Sequence, residues 1–250
     1  MTTSESQELI ARILGFRDWN VLAARINEAA NLPVSAMRES APTLYEAGIP
    51  LIPMRDLVLF PHMISRIFVA RDKSRQAVER AISSGQPILI VAQRHGKDDY
   101  PDTLEALHSV GVMASVIDRQ TQVDGTLKVT VRGLKRTRLI RLFDGECLAA
   151  EIAPIEEQRG QSKEAAALSS AVLDRYQAYA EVDYSALPLG SKARFSLPSI
   201  GDSSLLADTV APLLTNSIEV KQQILEASDV VTRLEGLVEL MRAGRPKAVA

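Results

Sequence analysis

The 250 residues are 46% hydrophobic and 24% charged, close to the average folded protein, which excludes a disordered or collagen-like chain. A formal net charge of −2 and a pI near 6.0 provide no global positive field for nucleic acid or anionic lipid. The lone cysteine, Cys147, excludes an intramolecular disulfide and any CxxC motif. With no basic stretch leading into an apolar core at the N-terminus, and no run near the ~18 apolar residues of a membrane span, a soluble cytoplasmic protein is expected.

In chain order, Leu9, Ile10, Ile13, Leu14, Val21, Leu22 and Ile26 recur at helical spacing, interrupted at Gly15. This pattern predicts a small helical hairpin cornered at Phe16 and Trp19, with Asp18 or Asn20 capping its second arm. The segment Leu14 to Ala24 is similar to a short helical domain found ahead of glyoxalase-related proteins. Pro33, Pro42 and Gly48 then punctuate a stretch without period, which reads as a linker with a boundary near residue 45.

The next segment is rich in β-formers. Ile49 to Phe60 and Ile64 to Ala70 read as strands joined by a turn at Pro61-His62. Asp72 or Ser74 opens a helix whose Ala77, Val78, Ala81 and Ile82 face a core, and Gly85 stops it. Ile88-Leu89-Ile90-Val91 is a strand buried on both faces. A helical turn or two is expected over Leu104 to His108, and Gly111 to Ile117 resumes strand composition. Leu127, Val129 and Val131 alternate with polar residues directly after Asp124-Gly125, a hairpin signal, so the sheet here is expected to be antiparallel. Gly133 predicts a bulge or bend. Asp144-Gly145 predicts a second hairpin, leading into Cys147 to Ile155.

From Ser162, a plausible N-cap, the period becomes helical, with Ala165, Leu168, Val172, Tyr176 and Tyr179 on one face. The stretch Asp183 to Gly201 holds Pro188, Gly190 and Pro198 and is too long for a simple connector. Three further helices follow through Leu206 to Leu213, Val220 to Leu225 and Val231 to Met241, with caps at Asp202 or Ser203, Asn216 or Ser217, and Asp229. The division is 1–45, 46–158 and 159–250. The fold class is α+β: a β pseudo-barrel followed by a C-terminal helical bundle and preceded by a small N-terminal helical hairpin.

Chemistry-bearing residues are sparse. His62, His95 and His108 lack metal-ligand spacing, so no metal is expected and solvated or turn histidines are the plain alternative. Cys147 has no histidine near it in sequence and reads as a small buried residue rather than a nucleophile. Ser191-Lys192 are adjacent in a Gly/Pro-rich loop, a poor setting for a serine–lysine dyad. No Gly-x-x-x-x-Gly-Lys-[Ser/Thr] loop occurs to cradle phosphate. No catalytic residue and no cofactor are therefore assigned. The basic run Arg132, Lys135, Arg136, Arg138 and Arg141 lacks interleaved aromatics, which favours a solvated face or a patch for an acidic protein over RNA. Arg55-Asp56 reads as an ion pair or turn device at the start of the sheet.

The run Ile52-Pro53-Met54-Arg55-Asp56-Leu57-Val58-Leu59-Phe60-Pro61-His62-Met63 resembles the opening of the Lon protease N-terminal domain. Ile67 to Ser74, Leu89 to Gln93, Gly111 to Ala114, Val131 to Arg136, Leu206 to Ala211 and Glu219 to Glu226 are similar to that family in the same order. The resemblance spans about residue 50 to about 243. It implies a PUA-like β-fold with a helical bundle that captures unfolded or tagged proteins, or acts as an adaptor for a full-length Lon protease, with self-association left open. The alternatives are the front of a complete ATP-dependent serine protease and an RNA-binding PUA-like module. The resemblance places peptide contacts on apolar residues of the β-fold, and Met54, Leu57, Phe60, Met63 and Phe68 are the candidates, on the expectation that they are exposed.

Overall fold

The computed structural model describes residues 20–21, 48–181, 201–214 and 216–243. The expected N-terminal hairpin, its linker, and the 183–201 stretch with Ser191-Lys192 lie outside the described residues, apart from Asn20, Val21, Gly48 and Gly201.

Six strands and one helix make the first half: β1 (Ile49–Met54), β2 (Ile64–Val69), α1 (Asp72–Ser84), β3 (Ile88–Ala92), β4 (Val110–Thr121), β5 (Leu127–Asp144) and β6 (Leu148–Pro154). The order is β2-β5-β4-β3-β1-β6, and β6 also pairs with β5, so five strands close a ring with β2 attached outside it. Among the six described strands β1 and β3 run parallel, with Ile52 opposite Ile90, and the other strand pairings are antiparallel.

Alternation along the strands separates two buried sets. Ile49 and Leu51 of β1, Leu89 and Val91 of β3, Met113 and Leu139 share one cluster. Ile52, Met54, Ile88, Ile90, Val112 and Val129 belong to another that also contains Ala77, Val78 and Ala81 of α1 and the apolar faces of the later helices. Helices cannot enter the ring, so the first set fills its interior and the second clothes its outside. This double burial explains why β3 reads as an unbroken apolar run.

Local signals act as expected. Gly125 has a φ of 82°, and Thr126 donates its N–H to the Asp124 carboxylate at 2.9 Å in the β4–β5 turn. Gly85, with a φ of 64°, ends α1 by donating its N–H to the Ile82 carbonyl. Met113 pairs with Lys135 and Ala114 with Gly133, leaving Leu134 as the extra residue of a bulge. A Cβ on Gly133 would lie 2.1 Å from the Phe60 carbonyl oxygen, which explains the glycine.

Three expectations are corrected. β1 ends at Met54 rather than Phe60, and it pairs with β3 and β6, never with β2. Val58, Leu59 and Phe60 are nonetheless buried, because this irregular segment packs into the outer core and is held by His62 and Gly133, whose N–H groups donate to the Gly133 and Met63 carbonyls. Composition alone cannot separate such a packed loop from a strand. Leu104 to His108 forms hydrogen-bonded turns and an isolated bridge of Leu107 to Gln93, not a helix, and Ile82 is exposed.

The second half holds α2 (Lys163–Glu181), α3 (Ser203–Val210) continued by a 3-10 turn (Ala211–Leu213), α4 (Ile218–Glu226) and α5 (Val230–Arg242). Ser162, Asp202, Ser217 and Asp229 each accept a hydrogen bond from a first-turn N–H, contributions of about 1 kcal/mol apiece. The helices join the ring through the shared outer core and through a buried ionic cluster. Arg136 of β5 donates to Asp208 of α3 at 2.6 Å and to the Leu225 carbonyl at 3.2 Å. Arg233 of α5 donates to Asp208 at 2.8 Å and to Glu157 at 2.7 Å, and Arg136 also pairs with Glu157. Burial pushes the Asp208 carboxyl up and the Arg136 guanidinium down, each against the pull of the other.

Candidate protein-binding surface

The five apolar candidates do not form one surface. Phe60 is 0% exposed and Met54 is buried, while Leu57 and Met63 are half-buried against the outer core. The expectation of exposure is corrected for Met54, which β1 carries into the outer core, and for Phe60, which the clamp at Gly133 turns inward. Only Phe68, 62% exposed, stands in solvent.

Phe68 lies on β2, whose alternate residues Ile67 and Val69 are buried in the outer core. Directly opposite residues of an antiparallel pair share a face. Phe68 is therefore flanked by Lys128, Arg66 by Thr130, and Ile64 by Arg132. On the next strand Gln120 follows Lys128, Asp118 follows Thr130, and Ser115 follows Arg132. The result is a three-strand face of Ile64, Arg66 and Phe68 with a cationic row beside them. Among the described residues neither Lys128 nor Arg132 has an ion-pair partner. The Ser115 Oγ is buried on this face without a hydrogen-bond partner.

The basic run proves heterogeneous. Arg136 is buried in the ionic cluster, whereas Lys135, Arg138 and Arg141 are exposed. The fold also supplies aromatics that the run itself lacks, Phe68 opposite Lys128 and Phe143 with the Arg141 guanidinium 5.6 Å from its ring centre. Cross-strand register was the missing information. The alternation Ile67-Phe68-Val69 was the one signal that could have set Phe68 apart from Phe60.

Residues 48–243 match the family described as the ATP-dependent protease La (LON) substrate-binding domain. The chain belongs to this Lon substrate-binding domain family. It is 39% identical over 200 residues to a Lon protease of Haemophilus influenzae, covering 78% of this chain and 24% of that protein. Against a Lon protease of Escherichia coli the identity is 35% over 196 residues, with the same shares. The chain thus spans about a quarter of the length of these curated relatives. The fold resembles the N-terminal domain of a Mycobacterium avium complex Lon protease, with a TM-score of 0.55 and 24% identity over 78% of this chain and 98% of that one.

The matched residues account for the Lon substrate-binding domain, and neither an ATPase nor a peptidase domain is detected in the 250 residues. A shallow cleft of about 270 Å³ between α1 and the β5–β6 turn is lined by Gln76, Arg80, Phe143, Asp144, Glu146 and Cys147. Cys147 is buried, with Arg80 Nη1 3.8 Å from its Sγ while Nη2 donates to the Gly48 carbonyl. Arg55 pairs with Asp99 rather than with Asp56. His62 and His95 are exposed, and His108 Nδ1 lies 3.4 Å from Glu226 Oε1. Among the described residues no three His, Cys, Asp or Glu side chains converge to hold a metal, and no helix is long and apolar enough to cross a membrane.

Proposed function

We propose that this chain is a non-catalytic protein-binding module of the cytoplasm. It captures unfolded or tagged polypeptide, or serves as an adaptor or regulator of a complete Lon protease. The ring is read as a PUA-like pseudo-barrel and the later helices as a bundle that braces it. The observation that carries the reading is Phe68, exposed on a sheet face that no helix covers among the described residues, in a domain whose family is defined by substrate binding. Burying an exposed apolar segment there gains roughly 25 cal/mol per Å² before the costs of association, so a small contact gives weak and reversible capture.

Titration of the chain with a permanently unfolded labelled protein and with its native form tests this. Selective binding of the unfolded form, without ATP hydrolysis or casein cleavage, is the expected result. Equal indifference to both forms, or unaided cleavage, overturns it. In the adaptor reading, adding the chain changes the rate at which a complete Lon protease degrades a tagged client. A second reading, favoured by relatives four times longer, is that the same domain forms the front of an ATP-dependent protease; a phosphate loop downstream in the same reading frame decides it.

A further inference from the structure

We propose that a second copy of this chain docks head to tail: the acidic apex of one copy's β3–β4 loop seats on the cationic outer face of the other copy's β5–β6 hairpin. The contact goes beyond the capture of polypeptide and does not involve Phe68, which pairs with Lys128 toward the other end of β5.

The loop between β3 and β4 forms neither helix nor strand, yet it is pinned from several sides. Leu107, fully buried, belongs to the ring interior and bridges to Gln93. Arg71 donates to Gln93 Oε1 at 2.9 Å and to the Asp98 carbonyl at 3.3 Å, and Gln93 Nε2 reaches the same carbonyl at 2.9 Å. Arg94 Nε donates to the Leu107 carbonyl at 2.9 Å. Pro101 is buried, whereas Tyr100 beside it is 84% exposed and Leu104 is exposed as well. A long loop held in place by its scaffold and ending on an exposed aromatic ring suits presentation to a partner. From 98 to 105 the sequence holds Asp98, Asp99, Asp102 and Glu105 without a lysine or arginine. Arg55 answers Asp99, but Asp102 and Glu105 have no ion-pair partner among the described residues. Arg94 and Lys97 stand at the base of the loop, before this apex.

The hairpin carries the complementary patch. Leu139, Leu142, Ala150 and Ile152 pack in the ring interior, so the residues that alternate with them, Arg138, Arg141 and Phe143, face outward. The register shift between Leu139 and Arg141 sets Ile140 beside Arg141 on that outer side. All four of these side chains are exposed, and the Arg141 guanidinium lies over the Phe143 ring. Neither Arg138 nor Arg141 has an ion-pair partner among the described residues; Glu151 is opposite Arg141 in register without pairing to it. The two patches thus match in kind. Tyr100 and Leu104 of one copy meet Ile140 and Phe143 of the other, and Asp102 and Glu105 supply the carboxylates that Arg138 and Arg141 lack. Each copy uses a different patch on its two sides, so the contact repeats into a chain unless the rotation closes a ring. Either assembly sets several Phe68 sites side by side and raises the effective concentration of binding surface.

Sedimentation velocity of the 250-residue chain at low salt is expected to show concentration-dependent association that weakens as salt screens it. Tyr100→Ser/Glu105→Gln on the loop and Arg138→Gln/Ile140→Ser on the hairpin each weaken it about tenfold or more. Mixed one to one, the two variants recover the parent affinity but stop at a pair, because each supplies the patch that the other lacks. Phe68→Ser leaves association unchanged. The substituted side chains are exposed, and an unchanged melting curve confirms that each variant folds. In the parent chain, where folding is not at issue, amide hydrogen exchange over 98–105 and 138–143 slows together as concentration rises.

A parent chain that stays monomeric at every concentration overturns the proposal, as does association that neither double variant weakens. A mixture of the two variants that remains monomeric overturns the head-to-tail arrangement. Association lost in Phe68→Ser places the interface elsewhere and overturns this one. If the parent is monomeric but a labelled peptide copying residues 97–106 binds it and fails to bind Arg138→Gln/Ile140→Ser, the second copy falls in favour of an acidic segment from another protein. None of these outcomes touches the binding of an unfolded protein, which is measured separately.

Discussion

Strand β5 carries cations in two opposite settings. Over its first half one face lies on the outer core, and on the other Lys128 and Arg132 stand half-buried without carboxylate partners among the described residues. Over its second half Arg136 is enclosed by Asp208, Glu157 and a backbone carbonyl, while its neighbours Lys135 and Arg138 are exposed. A charge taken out of water must be paired, whereas one left at the surface remains available to a partner. The same charge therefore cements the helices to the ring at one end of the strand and stays within reach of solvent at the other.

Substitutions that cross the two settings break this contrast most sharply. Asp208→Ala strands two buried guanidinium groups, and urea denaturation is expected to show a loss of about 3–5 kcal/mol. Lys128→Ala is expected to stay within about 0.5 kcal/mol in the same assay. The aromatic pair repeats the lesson. Phe60→Ala empties a fully buried site and costs about 3–5 kcal/mol, while Phe68→Ala leaves the melting curve nearly unmoved. A smaller loss is expected at the joint beneath them. Gly133→Ala forces a methyl against the Phe60 carbonyl and lowers stability by about 1–3 kcal/mol, because backbone must shift to admit it. If Phe68→Ala proves as costly as Phe60→Ala, the face around it is core rather than contact surface.

What the sequence made legible was local. Ser162, Asp202, Ser217 and Asp229 cap helices because a short polar side chain reaches its own first turn, and Asp124-Gly125 turns the chain through its own backbone preferences. The order of strands was not legible. Parallel pairing of β1 with β3 and closure of the ring by β6 depend on contacts between distant segments. The binding candidates failed for the same reason. Met54, Phe60 and Phe68 are alike in composition, but Phe60 is turned inward by a glycine far along the chain, and Phe68 alternates with two core residues. Arg136 read as one of a basic run because Asp208 is separated from it by 72 positions.

His108 occupies an intermediate setting, half-covered at the seam between the β3–β4 loop and α4. Burial lowers its pKa below the ordinary 6.5, with Glu226 opposing the shift and Arg94 reinforcing it. The folded chain therefore holds the imidazole neutral at a pH where the unfolded chain already binds a proton. The stability from this group is complete above pH 6.5 and is lost as pH falls from there toward the folded value. Urea midpoints measured between about pH 7 and 5.5, above the range in which carboxylates titrate, are expected to fall, and His108→Gln to flatten the fall. Glu226→Gln removes the carboxylate that supports the protonated ring, so the folded pKa drops further and the pH-dependent loss extends to lower pH. Identical slopes in the parent chain and His108→Gln would mean that the seam is open to water, with His108 closer in kind to Lys128 than to Arg136.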